Sequence, residues 1–300
     1  MENDKINDIE ILMPINNNFL EVFKVFMDDN QKEKIRANNV RQYIEGIIDL
    51  LLKDKILSVL GDEPYESLNW KRKIKIIENN YDTQIAEKIR EIFRVGGNGS
   101  HFNGKVNDEE LHSIIDMAIH IVEDIFVIYF RVPEHKFGNE NIFTIFSMLP
   151  LKHRIYILEK LSIYDADNKY IVDRLSLAYA KNGEKEKAKA LLDKSLKAKI
   201  IDKEFYQQKL KSLKTIQANI TDLYKQNANY EQHPEYSKAI IDGSFLVVGL
   251  PTSNNIFDTQ RAMETFKEWF ENYKNKYPEF INLFFYLMQT DNRVYKTCEK

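Results

Sequence analysis

Glu91-Ile-Phe-Arg94-Val-Gly96-Gly97-Asn98-Gly99-Ser100-His101-Phe102-Asn103-Gly104 is the stretch on which the reading of this chain turns. It holds four of the ten glycines in 300 residues, where average usage would give about 21. The remainder, with few prolines and much Lys, Glu, Ile and Leu, reads as helical. A helix is expected to end at Arg94, a flexible loop to follow, and His101 to come seven positions later. The Asn98-Gly99 and Asn103-Gly104 pairs permit tight turns of positive φ. Such a loop is expected to fold Arg94 and His101 toward each other. Arginine offers a fixed fork of donors for phosphate, and histidine an acid or base that titrates near neutral pH. Together they make a minimal kit for attacking a phosphodiester without metal. The plainer alternative has Arg94 favouring the negative end of its helix, the glycines making a turn and His101 packing on Phe102.

Outward from this stretch, helices are predicted over 18–26, 35–57, 67–79 and 83–93, the last opening on Asp82 as N-cap. The next opens at Asn107-Asp-Glu-Glu, its acids set against the positive helix end, and stops at about Arg131 before Pro133. Residues 1–132 therefore read as one helical bundle with a glycine loop between its last two helices. Residues 133–150 read as a connector with a short apolar stretch, and 151–300 as a second helical domain. In that domain, helices over 170–181 and 184–199 are joined by Asn182-Gly183, a C-cap glycine. Further helices are predicted at 203–227, 234–241 and 259–287. Gly243 to Pro251 reads as either a buried strand or an irregular segment.

The pair at 170–200 resembles a tetratricopeptide repeat, with Leu175, Ser176, Tyr179, Gly183, Ala188, Leu192 and Ser195 at that repeat's large and small positions. Leu192 replaces the usual aromatic, and Ile200 stands where proline often ends the unit. The resemblance implies an interaction surface, and a single unit needs neighbouring helices to cover its faces.

Arg94, a six-residue spacer containing Asn98, and His101 resemble the Arg-spacer-His signature of HEPN domains, helical bundles common in bacterial defence, toxin and RNA-processing systems. The form Arg-x-x-Gly-Asn-x-x-His is similar to the subgroup found with restriction and defence proteins. Arg41 and Glu45 match that subgroup's Arg-x-x-x-Glu. The resemblance covers roughly residues 15–132. It implies a metal-independent endoribonuclease, needing no cofactor, of a defence or toxin–antitoxin system. His101 would move a proton at the ribose 2′-hydroxyl or the leaving oxygen, and Arg94 would neutralise the charge developing on phosphorus. Asn98 would orient the loop or bind phosphate, and Glu45 would hold Arg94 or His101. It further implies a homodimer through this domain with a shared site. The rival expectation is a non-catalytic adaptor in which both halves dock nucleic acid or a protein partner. For Arg41 and Glu45 the plain alternative is an exposed i,i+4 ion pair.

Charge and composition set the remaining bounds. Residues 1–140 carry 18 Lys and Arg against 26 Asp and Glu, a net −8, while the remainder nets +5. The acidic half has no general attraction for nucleic acid; its local exception is Lys71-Arg72-Lys73-Ile74-Lys75, an RNA-binding run or else a solvated helix face. The most apolar stretch, 114–130, is interrupted by Asp116, His120, Glu123 and Asp124, which argues against a membrane span. The acidic opening Met-Glu-Asn-Asp-Lys lacks the features of a signal peptide, so a cytoplasmic location is expected. A single cysteine, Cys298, leaves no disulfide framework. His112, Asp116 and His120 share a helix face, but His112 and His120 lie about 12 Å apart along it. A polar stripe is preferred there to a metal site. Walker A, His-Glu-x-x-His and Gly-x-Ser-x-Gly motifs do not occur.

Overall fold

A computed structural model describes residues 17–101, 104–138, 141–147, 149, 151–226 and 273–294, and there the chain is all helical. The expected helix at 234–241, the segment 243–251 and Cys298 lie outside the described residues. Two compact units are formed, which among the described residues comprise 17–128 with 289–294, and 129–288.

The first unit begins with α1 (Asn17–Met27) and α2 (Glu33–Ile47). Phe19, Phe23 and Phe26 of α1 meet the Tyr43 ring of α2, with centroids 5.4 to 6.0 Å apart. Buried Arg36 donates from Nε to the Phe26 carbonyl at 2.8 Å and pairs with Asp29, a cation placed against the negative end of α1. The predicted helix over 35–57 runs its whole length, with one change of hydrogen-bond register inside it. A π-helical turn, Ile48–Leu52, separates α2 from α3 (Lys53–Leu57). The Asp49 carboxylate within that turn accepts from both Tyr65 Oη and Lys73 Nζ.

Three further helices complete this unit: α4 (Trp70–Asn80), α5 (Thr83–Ser100) and α6 (Asp108–Arg131). Their starts are fixed by caps. Asn69, Asp82 and Asn107 each accept a backbone N–H three residues on, at 3.0, 3.0 and 2.8 Å. Asp82 therefore caps as expected. The predicted end at 93 is overturned, because α5 continues for seven more residues through the glycines.

The second unit gathers an aromatic cluster around Phe130. Phe137, Phe143, Phe146 and Phe280 all surround its ring within 6.2 Å. The apolar stretch predicted inside 133–150 thus packs as part of this core, with α7 at Asn141–Phe146. Then come α8 (Leu151–Tyr164), α9 (Lys169–Lys181), α10 (Lys185–Lys197), α11 (Lys203–Gln226) and α12 (Pro278–Val294). Ser176, Ala188, Leu192 and Ser195 are all buried where α9 and α10 meet. The turn between them is a Schellman motif: Gly183 has φ +81° and Glu184 N–H reaches the Tyr179 carbonyl at 2.8 Å.

The same device ends α10 with the wrong residue. Ile200 N–H bonds the Ser195 carbonyl at 2.9 Å, and Lys199 takes the left-handed position at φ +62°. That conformation costs a non-glycine residue about 1 kcal/mol. Lys199→Gly is therefore expected to stabilise the protein by up to about 1 kcal/mol, read as a raised midpoint in urea.

Candidate functional site

The geometry of the candidate site follows from how closely α5 lies on α2. A Cβ added at Gly96 would sit 2.6 Å from Arg41 Cβ and 2.9 Å from the Ala37 carbonyl oxygen. One added at Gly99 would sit 2.6 Å from the Lys34 carbonyl oxygen. At Gly97 it would meet nothing within 4 Å. Glycines inside a helix cost about 1 kcal/mol each relative to alanine, and here two of them permit the helices to touch through their backbones. The contact is fastened by Ser100 Oγ donating to Asn38 Oδ1 at 2.6 Å. Lys34 Nζ donates to the His101 carbonyl at 2.7 Å, a cation from α2 on the C-terminal end of α5.

A helical course through Ser100 changes how Arg94 and His101 are related. Arg94, Asn98 and His101 fall at i, i+4 and i+7, so they form one stripe on α5. At 100° per residue this stripe lies on the side away from Gly96 and Gly99. No loop folds the two residues together; their Cα atoms are separated by two helical turns, about 10 Å. His101 is the C-cap, with extended backbone, and its N–H bonds the Asn98 carbonyl at 3.3 Å. Gly104 N–H reaches the His101 carbonyl at 3.1 Å, and a Cβ at Gly104 would overlap the Asn98 carbonyl oxygen at 1.9 Å.

Carboxylates hold the Arg94 guanidinium. Nε and Nη2 donate to Glu91 at 2.8 and 2.7 Å, and Nη2 also reaches Glu110 of α6 at 2.8 Å. The hydrogen bond from Arg94 draws the Glu91 carboxyl below its ordinary value, against a smaller opposing effect of burial. Arg94 is half exposed, so these pairs are individually weak and exchangeable. Glu110 was not legible as a partner, because sixteen residues and a helix turn separate it from Arg94.

The upstream pair does something other than the resemblance implies. Arg41 Nε donates to Glu45 Oε1 at 2.8 Å, and the Arg41 guanidinium lies 5.2 Å from the Phe93 ring centroid. Glu45 thus holds Arg41 rather than Arg94 or His101, and it does so half-buried on the α2 side of α5.

The basic run on α4 divides by helical phase. Lys73, only 6% exposed, points inward. Its ammonium reaches Asp49 at 3.1 Å and lies 3.8 and 4.2 Å from the Tyr65 and Trp70 ring centroids. Arg72 pairs with Glu63 at 3.3 Å and Lys75 with Glu78 at 2.8 Å, while Lys71 is exposed. A four-cation surface for phosphates is therefore not presented, since Lys73 belongs to a buried aromatic cage.

Both histidines of the polar stripe on α6 are held by hydrogen bonds. His112 Nδ1 meets the Asp108 carbonyl at 2.6 Å, and His120 Nδ1 bonds the buried Glu123 carboxylate. Among the described residues no cluster of three His, Cys, Asp or Glu is placed to hold a metal ion. Burial lowers the His120 imidazole's affinity for its proton. The Glu123 hydrogen bond, with the charges of Glu123, Asp116 and Asp124, outweighs that and raises it above the ordinary 6.5. Lys88 of α5 is taken up by Asp124. A group whose pKa rises on folding adds stability that is complete below 6.5 and is lost as pH climbs through the folded value. The urea midpoint is thus expected to fall as pH rises above neutrality, and His120→Gln should flatten that fall.

No protein-family model, curated protein or solved structure matches this chain. Among the described residues no helix is long and apolar enough to cross a membrane.

Proposed function

We propose that the chain is a metal-independent endoribonuclease of a bacterial defence or toxin–antitoxin system, with Arg94 and His101 as its catalytic residues and RNA as its substrate. The observation that supports this most is the stripe of Arg94, Asn98 and His101 at the end of α5, with His101 exposed and at the C-cap. In this reading the Arg94 side chain exchanges Glu91 and Glu110 for a phosphodiester and extends toward His101. His101 takes the 2′-hydroxyl proton, the oxygen attacks the adjacent phosphorus, and the bond to the 5′-oxygen breaks as that oxygen takes a proton from solvent. Arg94 stabilises the extra charge on phosphorus. Requiring the 2′-hydroxyl restricts cleavage to RNA. Two copies pair through the 1–132 domain to share the site, the protein acts in the cytoplasm, and the tetratricopeptide-like helices bind a protein partner or help select the RNA.

One observation favours a second reading. The Arg94 guanidinium is already occupied by two carboxylates, which suits a non-catalytic adaptor that keeps the bundle as a docking module. Incubating the purified protein with structured and unstructured RNA in EDTA separates the two. Cleavage that disappears in His101→Ala and Arg94→Ala supports the enzyme; RNA that stays intact supports the adaptor.

A further inference from the structure

Among the described residues of the second unit, the large apolar side chains left exposed lie at one place: Val132 at 40%, Ile163 at 73% and Tyr164 at 47%. Contacts between the end of α6, the segment after it and the end of α8 bring them together. The Arg131 guanidinium lies over the Tyr164 ring, 4.2 Å from its centroid. Lys136 Nζ pairs with Asp165 at 3.3 Å, and Asn168 Nδ2 donates to the Phe137 carbonyl at 2.8 Å.

The same surface continues along α8. Tyr156, Lys160 and Tyr164 fall at i, i+4 and i+8, one stripe of that helix. Lys160 Nζ lies 5.4 Å from the Tyr156 ring centroid, so each tyrosine of the stripe has a cation against its ring. Among the described residues no carboxylate lies within ion-pair distance of Lys160. Carboxylates alongside are engaged: Glu159 accepts from Tyr179 Oη at 2.6 Å, and Asp165 holds Lys136.

We infer that Arg131, Tyr156, Lys160 and Tyr164 form a surface that takes an unpaired nucleic-acid strand, its bases on the tyrosine rings and its phosphates on the two cations. A ring with a guanidinium stacked on it offers a flat surface to any base, and the guanidinium fork also suits phosphate. Tyr156 and Tyr164 are two helical turns apart, about 12 Å, with Lys160 between them. Exposed apolar side chains alone would suit a protein equally; charge decides for nucleic acid. Residues 141–300 net +5 where 1–140 net −8, and Lys160 stands on the stripe itself. In a duplex the bases stack on one another, so this surface selects single strands. It uses second-unit residues alone and does not depend on the ribonuclease reading.

Fluorescence anisotropy of a labelled oligothymidine of about 12 nucleotides, within the range of site sizes such surfaces take, tests this on the full chain. Lacking a 2′-hydroxyl, that strand is no substrate for the cleavage proposed above. Binding is expected, and weaker binding for the same strand paired with its complement. Tyr164→Ala should weaken it roughly 5- to 150-fold, the loss of one stacked base, while Tyr164→Phe should keep it. Lys160→Gln should lower the slope of log affinity against log salt by about 0.7, and it reads the site by itself should Tyr164→Ala fail to fold. The inference is overturned if the strand stays unbound, as a protein-docking surface would leave it, or if the duplex binds equally well. It is overturned too if Tyr164→Ala binds no more weakly than Tyr164→Phe, or if Lys160→Gln keeps the salt slope of the unaltered chain.

Discussion

Alanine at Gly97 should stabilise the protein by up to about 1 kcal/mol, whereas alanine at Gly96 or Gly99 should destabilise it by roughly 1 to 3 kcal/mol. The three positions share one helix and one chemical change, so helix propensity alone predicts the same gain at each. At Gly97 that gain is realised, because the new methyl meets nothing within 4 Å. At Gly96 the methyl collides with Arg41 Cβ and the Ala37 carbonyl, and at Gly99 with the Lys34 carbonyl, all under 3.0 Å. Backbone cannot step aside as a flexible side chain can, so α5 must lift from α2, with the cost typical of overpacking. Lifting would also strain the Ser100–Asn38 and Lys34–His101 hydrogen bonds. Urea denaturation of the three variants checks the opposite signs. Equal stabilisation at all three would mean that the helices do not touch there.

His101→Ala should lower RNA cleavage by a factor of 10² to 10⁴, the range that general acid–base catalysis contributes. Stability should be nearly unchanged, because the imidazole is exposed and the hydrogen bonds at this position come from the backbone. Arg94→Ala should lower cleavage comparably by removing the charge that meets the phosphate. Glu110→Gln should act in the opposite direction, since it loosens one of the two carboxylates that a phosphodiester must displace from Arg94. Single-turnover rates on a labelled RNA measure all three. An increase in Glu110→Gln with a loss in the other two is a pattern that a structural role for Arg94 would not produce.

Much of the helical fold was legible because its signals are local. Asp82 caps α5, Asn107 opens α6, and Gly183 closes α9 with the left-handed backbone that its residue type favours. The glycine stretch misled for the opposite reason. Whether Gly96 and Gly99 break a helix or narrow it depends on a partner more than fifty residues away, and α2 supplies the contacts that offset their propensity cost. The π-helical turn at Ile48–Leu52 was likewise invisible to a periodicity that counts 3.6 residues per turn. In the candidate site, the spacing of Arg94, Asn98 and His101 was readable, but their placement as a helical stripe was not. Glu110 and Lys34 reach the site from other helices and left no mark in the local pattern. The basic run on α4 shows the same limit, because its helical phase turned Lys73 toward Asp49 and two aromatic rings.

Attack by the ribose 2′-hydroxyl is the central claim, and a single 2′-deoxy substitution tests it most directly. An RNA with one mapped cleavage position is compared, in EDTA, with the same RNA carrying deoxyribose on the 5′ side of that bond. Cleavage at that position should vanish in the deoxy substrate, and the unmodified RNA should yield a 2′,3′-cyclic phosphate that His101→Ala fails to produce. Cleavage that survives the missing hydroxyl, or an RNA left whole by the unaltered protein, would contradict it.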